Sequence, residues 1–309
     1  MINLDFNSII ELVKAFPNEQ VCIDHLEQLR WNGVVVSPFY ATSKVYKCAG
    51  NKYKCKNTGK YFNVRTATLF DNTKIELQTW FVAIYLLTGH KKGISSLQLA
   101  KDLNVTQKTA WFMAQRIRNC FGITDTENED GKLGGGGQIV EVDETYVGGK
   151  MKNMTHKKRK AIGAKGANDN KHMVMGYLVR GGKVKLQLVD KGGILQSVRE
   201  NVSSDSVLIT DLSNAYNYAH KFFAAHETVD HGKKEYVRDT IHTNSIEGVF
   251  SMFDRMVIGT YHYISPKHMQ KYANELSFRY NSRTHSECSR FNMLLSHCTN
   301  RLTYKTLIK

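Results

Sequence analysis

Near the middle of the chain the acidic run DTENED (125–130) gives way to GKLGGGG (131–137), a composition with almost no side chain to pack. Such a stretch reads as a flexible linker, here 123–138. It divides 309 residues into two halves, each long enough to bury a core of its own. With 41% hydrophobic residues the chain is no disordered basic tail. Its longest apolar run, Trp80–Leu87, is far short of the ~20 residues that span a bilayer, and MINLDFNSII lacks the basic-then-apolar layout of a signal peptide. A cytoplasmic chain with no membrane partner is therefore expected. Its six cysteines contain no CxxC pair, which argues against a disulfide framework and a plain zinc site.

The net charge of +15 is concentrated. Tyr40–Arg65 holds seven basic residues and no acid, and Lys150–Lys171 holds eight with Asp169 as the one acid. Positive charge interleaved with Tyr40, Tyr46, Tyr53, Tyr61 and Phe62 suits a polyphosphate backbone met partly by aromatic contacts. A solvated basic loop is the plainer alternative for either run.

In the first half, Phe6–Phe16 and Ile23–Leu29 carry apolar residues at helical spacing, and Tyr40–Phe70 alternates short β-prone pieces with Gly and Asn turns. Ile75–Leu87 is again helical. Ser95 caps a helix through Asp102, and Val105-Thr106 opens another to Arg118, the spacing of a helix-turn-helix. Leu97, Leu99, Ala100 and Leu103 are expected to pack on Ala110, Met113 and Ile117. Thr106, Gln107 and Lys108 then stand free to reach a major groove, with Arg116 and Arg118 behind them. An ordinary helical hairpin is the competing reading.

The second half reads as a strand at Ile139–Asp143 and a hairpin from His172–Val179 to Lys183–Val189. A helix at Ile194–Asn201, a strand at Ser206–Thr210, a helix at Ser213–Phe222 and an edge strand at Glu227–His231 follow. Helices at Thr243–Val257 and from Ser265-Pro266 through Tyr280 complete it. Three acids stand out: Asp143 on the first strand, Asp211 where a later strand ends, and Glu247 in the helix after it. An Asp that interrupts an apolar strand costs several kcal/mol to bury unless something neutralises it, and neighbouring strands would bring two such acids together. Oxygen-only ligands select Mg²⁺ or Mn²⁺, and two such ions suit in-line phosphoryl transfer on DNA. Singly, each acid also has a structural reading, as a turn, a cap or a solvated side chain. Glu141 and Glu144 bracket Asp143 and are expected on the opposite face of the strand; Asp190, Asp254 and Glu275 are the other acids nearby. His242, Asn244 and Arg255 are expected to support the site, and Lys157, Lys158, Arg159 and Lys160 to meet phosphates.

The stretches VDETYVGGK (142–150), VLITDLSNAY (207–216), HTNSIEGVFSMF (242–253), GTYHYISPKHMQKYANELSFRYNSR (259–283) and ISSLQLAKDLNVTQKTAWFMAQRIR (94–118) resemble the DDE transposases of bacterial insertion sequences, in the ISXO-like group. The resemblance implies an α/β fold in which a small β-ribbon and a helix-turn-helix precede an RNase H-like core with a mixed five-stranded sheet and flanking helices. It implies a helical segment (1–36), a degenerate zinc-ribbon-like module (37–70), a helix-turn-helix module (71–122), a catalytic domain (139–282) and a tail (283–309). Asp143, Asp211 and Glu247 become the triad that holds two Mg²⁺ or Mn²⁺ ions, and the partner becomes double-stranded DNA, both element ends and target. A homodimer or higher oligomer on DNA, in the bacterial nucleoid, is implied too. The alternative is a non-catalytic, sequence-specific DNA-binding descendant. Two departures from the family pattern stand out. Asp254 precedes Arg255 where relatives carry Lys, and of the ribbon's metal ligands only Cys55 remains, so zinc is not expected. Phe39, Tyr40, Tyr46, Tyr53, Phe62 and Val64 are expected to form a core in its place.

Overall fold

The computed structural model describes residues 5–122, 131–149, 151–163, 170–190, 192–233 and 237–308. They fall into two compact units, one of residues 1–123 and 284–309, the other of residues 124–283.

The first unit opens with helices α1 (Ile9–Ala15) and α2 (Glu19–Trp31), capped by the side chains of Ser8 and Asn18. Strands β1 (Val45–Cys48), β2 (Lys52–Cys55) and β3 (Tyr61–Phe62) form a three-stranded antiparallel ribbon. Helices α3 (Leu77–Gly89), α4 (Ser96–Asp102) and α5 (Gln107–Arg118) follow. Ser95 and Thr106 cap α4 and α5 as their sequence positions require, and Asn104 takes a left-handed φ of 51° in the turn between them.

In the second unit, β4 (Ile139–Val147) is followed by the short helix α6 (His156–Ile162) and then β5 (His172–Val179), β6 (Val184–Val189), α7 (Ile194–Asn201), β7 (Val207–Asp211) and β8 (Ala225–Val229). Helices α8 (Asn244–Met256) and α9 (Pro266–Asn281) close it. The sheet order is β6-β5-β4-β7-β8, antiparallel on the β6 side of β4 and parallel on the β8 side.

This mixed sheet is buried on both faces, which is why MVMGYLV in β5 is apolar throughout rather than alternating. Val147, Val174, Leu178 and Leu186 pack under α8 and α9; Val140, Val142, Tyr177 and Leu208 pack under α7 and the residues after β7. The outer edge of β6 is covered by side chains. Gln270, Ser277 and Asn281, on one face of α9, accept from the amides of Leu188 (2.7 Å), Leu186 (3.1 Å) and Val184 (2.8 Å), so the edge offers no open ladder.

Three expectations need correction. The glycine run is no slack tether over its described part, 131–137. Gly134 to Gly137 all take positive φ, which turns the Gly135 amide to Ser206 Oγ (2.9 Å) and the Gly136 amide to Asp205 Oδ2 (2.7 Å), and Leu133 enters the core. Glycine there serves the backbone conformation, not mobility; 123–130 lie outside the described residues. Ser213–Phe222 is two 3₁₀ turns, Asn214–Tyr216 and Ala219–Lys221, because Tyr216 is drawn into the core with its hydroxyl on Glu144 (2.7 Å). The C-terminal segment is helical: α10 (Glu287–Ser296) and α11 (Tyr304–Ile308) belong to the first unit. Phe291 of α10 makes edge contacts with Phe6 (5.3 Å between centroids) and Phe81 (5.2 Å).

Gly176 lies opposite Asp143 in the β4–β5 ladder, and a Cβ there would sit 2.6 Å from Ile246 Cδ1 and 2.9 Å from Phe250 Cζ of α8. Gly176→Ala is thus expected to lower stability by about 1–3 kcal/mol. Gly248→Ala, on α8 where a Cβ meets open space, should raise it by up to about 1 kcal/mol. Urea unfolding of the two variants checks the opposite signs.

Candidate functional site

Strands β4 and β7 run parallel with Ile139 opposite Val207, Val140 opposite Leu208 and Glu141 opposite Ile209, a constant offset of 68 residues. Continued two residues further, the same offset sets Asp143 level with Asp211, at the end of β7. Asp143 pairs with Gly176 on its other side, where Ile246 and Phe250 come down onto the sheet, so its side chain belongs to the α8 face. Helix α8 turns Ile246, Val249, Phe250 and Phe253 into the core and carries Glu247 in its first turn, exposed, with Thr243 Oγ1 donating to Glu247 Oε1 (3.2 Å).

The three acids thus gather where the parallel pairing of β4 with β7 ends and α8 begins. They interact electrostatically. Burial first, and then the carboxylates of Glu144, Asp211 and Glu247, push the Asp143 carboxyl up to about 7, against a lowering hydrogen bond from the Glu144 amide (2.8 Å). Burial and Asp211 raise Glu144 too, opposed by Tyr216. Among the described residues no three His, Cys, Asp or Glu side chains stand close enough together to hold a metal ion, so the acids are neighbours that do not converge on a point.

Glu141 departs from expectation. Two residues before Asp143, it shares the α8 face rather than opposing it, since side chains on a strand repeat every second residue. Fully buried, it receives the amides of Ser245 and Ile246 (both 3.0 Å) and the Arg180 guanidinium (2.8 Å). The expected supporting residue His242 stands in this cluster, its Nδ1 3.6 Å from Glu141 Oε1 and 3.4 Å from Arg180. A period-2 count along VEVDE would have put Glu141 there. Asn244 is exposed at the start of α8, and Arg255 is exposed about 12 Å beyond Glu247 along the helix axis. Glu275 bonds Arg279 and Tyr261, and Asp190 follows β6, two strands from β4.

The candidate DNA-contact residues separate into exposed and buried. Thr106, Gln107 and Lys108 are exposed at the start of α5, with Gln107 bonded to Ser96 (2.9 Å) and Lys108 over the Tyr304 ring. Arg116 and Arg118 are buried and do not face a groove; Arg116 is held by the carbonyls of Leu302 (2.9 Å) and Asp71 (2.8 Å). Leu97, expected in the hairpin core, is exposed, and Leu99 and Ala100 do that packing. Lys157, Arg159 and Lys160 are exposed on α6; the side chain of Lys158 lies outside the described set.

On the ribbon, Tyr53, Phe62 and Val64 are buried as expected, joined by Trp31 of α2, whose ring stands edge-on to Tyr53 at 5.3 Å. Phe39, Tyr40 and Tyr46 are instead exposed. Lysines sit over this outer aromatic surface: Lys44 over Tyr46, Lys54 over Tyr61 and Lys60 over Phe39, each 5.3 to 5.6 Å from the ring centre. At the residual knuckle, Cys55 donates to Ser43 Oγ (3.2 Å). Burial raises its thiol, but hydrogen bonds with Ser37, Ser43 and Thr58 outweigh that and bring it down to about 6.

A five-stranded mixed sheet with helices on both faces and acids just beyond its central parallel pairing is an RNase H-like core. Residues 132–281 match the model of the ISXO2-like transposase domain, and the second unit of the chain belongs to that family. Over 258 residues, 79% of this chain and 84% of the relative, the sequence is 25% identical to an uncharacterized protein in transposable element ISH50 of Halobacterium salinarum. No solved structure matches the chain. No helix of the described residues is long and apolar enough to cross a membrane.

Asp143 ties this electrostatic arrangement to a measurable stability. A carboxyl raised from 3.8 to about 7 on folding holds its proton more tightly in the folded chain, so it costs stability as pH rises between those values. Asp143→Asn removes that cost. It is expected to be more stable than wild type by about 1–3 kcal/mol at pH 8 in metal-free buffer, the gain shrinking through pH 7 and vanishing below about pH 4. Denaturant titrations across pH check this; equal stabilities at pH 8 would contradict it.

Proposed function

We propose that this transposase is of the DDE type, binding the terminal inverted repeats of its insertion sequence and carrying out metal-dependent strand cleavage and strand transfer. The observation that carries the reading is the shared offset. Asp143 and Asp211 are 68 residues apart, the separation that the β4–β7 register makes level, and Glu247 enters from α8 on the same face. The donor set is all oxygen and mutually repelling, which suits a hard divalent cation such as Mg²⁺ or Mn²⁺. Asp143, Asp211 and Glu247 are the residues that would hold two such ions. When bound, these ions would activate the attacking oxygen and stabilise the leaving one. For its part the protein would orient the phosphodiester at the strand ends, with Asn244 beside Glu247 and the cations of α6 neutralising entering DNA.

Double-stranded DNA is the proposed partner, both as element ends and as target, gripped by a homodimer or higher oligomer. The start of α5 (Thr106, Gln107, Lys108) would read bases, while the lysine-aromatic face of the ribbon and α6 would hold backbone. We further propose that the ribbon folds without zinc, its metal replaced by the Ser37–Ser43–Cys55 hydrogen bonds and by the Trp31–Tyr53–Phe62 aromatic packing.

Asp143→Asn, Asp211→Asn and Glu247→Gln should each abolish 3′ nicking of labelled element ends in Mg²⁺, with the DNA dissociation constant within about threefold of wild type. Near wild-type nicking by Asp211→Asn would sink the triad. A wild-type chain that binds ends and never nicks would be the non-catalytic alternative. Changing Lys157, Lys158, Arg159 and Lys160 to Ala should flatten the slope of log K against log salt by up to about 0.9 for each phosphate no longer neutralised, with sequence preference unchanged. Metal analysis of the purified full-length chain should find well under one zinc per molecule; one tightly held zinc would show a ligand set outside the knuckle.

A further inference from the structure

The N-terminus of α8 is capped from outside the helix. Its N-cap residue, Thr243, makes no side-chain bond to the first-turn amides. Those of Ser245 and Ile246 are instead satisfied by a single oxygen, Glu141 Oε2, at 3.0 Å each. The other oxygen, Oε1, takes the Arg180 guanidinium through Nε and a terminal nitrogen, both at 2.8 Å. Arg180 in turn donates to the carbonyls of Thr240 (2.6 Å) and His242 (3.1 Å), in the segment that leads into the helix. The Glu141 side chain is wholly buried and Arg180 about three-quarters so. A buried carboxylate in this setting is stabilised twice, by two guanidinium nitrogens on one oxygen and by the positive end of a helix on the other, and with either partner removed its burial becomes costly.

The position of this clamp matters for the proposed chemistry. Glu141 lies two residues before Asp143 on the same strand and face, and the amides it holds belong to the two residues immediately before Glu247. One carboxylate thus ties the strand that carries the first acid to the turn that carries the third. We infer that Glu141, locked by Arg180, is the positioning residue that fixes the Asp143–Glu247 geometry for metal binding. Neither Glu141 nor Arg180 touches the reacting atoms. The inference rests on the metal-dependent reading proposed above.

The test uses the full-length chain as wild type, Glu141→Gln and Arg180→Lys, with three readings on each: amide hydrogen exchange at Ser245 and Ile246, Mn²⁺ affinity by electron paramagnetic resonance of the free ion, and 3′ nicking of an element-end duplex. In Glu141→Gln exchange at the two amides should rise at least tenfold. The Mn²⁺ dissociation constant should rise about 10- to 100-fold, as for other residues that orient metal ligands, and nicking should slow in parallel while DNA affinity stays within twofold. Arg180→Lys keeps the charge but loses the fork, so it should move all three in the same direction by less; it also carries the test if Glu141→Gln fails to fold. Unchanged exchange at both amides in the folded variants would overturn the clamp. Faster exchange with unchanged Mn²⁺ affinity and nicking would make it a helix cap alone and overturn the positioning role. A wild-type chain that neither binds Mn²⁺ nor nicks removes the metal-dependent reading, and the inference with it, an outcome the wild-type measurement distinguishes from failure of the inference alone.

Discussion

Parallel pairing of β4 with β7 is the constraint from which the rest of the second unit follows. A parallel pair cannot be joined by a tight turn, so the chain between them must leave the sheet and return, and α7 on one face is part of that return. Hydrogen bonding on both sides then buries β4 at the centre of five strands, where an ionisable side chain is most costly. Asp143 accepts that cost beside Asp211, and Glu141 avoids it by being fully bonded. Two carboxylates on one strand face, two residues apart, thus have opposite electrostatic situations. One is pushed toward its protonated form by burial and like charge, and the other is neutralised by Arg180 and a helix end.

Much of the second unit was legible because its signals are local. The hairpin from His172 to Val189 needs only an apolar run, a Gly-Gly turn and a second run. The ends of β7 and α8 are fixed by where apolar periodicity stops at Asp211 and starts after Thr243. The places where expectation failed depend on partners distant in sequence. Nothing near Ser213–Phe222 announces that Tyr216 will turn inward to Glu144, 72 residues earlier. The glycines of 131–137 look like slack until Asp205 and Ser206 are known to receive their amides. Arg116 and Arg118 sit at a helix end that reads as a DNA face, yet carbonyls from two remote loops hold Arg116 in the interior.

For the site itself, residue types and order were readable and side-chain roles only partly so. Asp143, Asp211 and Glu247 stand out because acids interrupt or end apolar segments. Glu141 was hidden by its neighbours, since VEVDE holds three acids and only strict strand alternation sets Glu141 and Asp143 on one face and Glu144 on the other. Of the residues expected beside the acids, His242 sits behind them on the Glu141–Arg180 pair, and Arg255 is separated from Glu247 by two helical turns.

The return of residues 284–308 to the first unit has a consequence for how the chain is made. Phe291 fills the centre of an aromatic cluster with Phe6, Phe16 and Phe81, all synthesised some two hundred or more residues earlier. During translation, therefore, the second unit has its whole sequence available while the first still lacks one wall of its core. Contacts of such long sequence separation form late, after the loop-closure entropy of the intervening chain has been met. The first unit therefore completes its core only after the second has been synthesised, so a ribosome-bound chain holds Phe6, Phe16 and Phe81 without their Phe291 partner until α10 has been made.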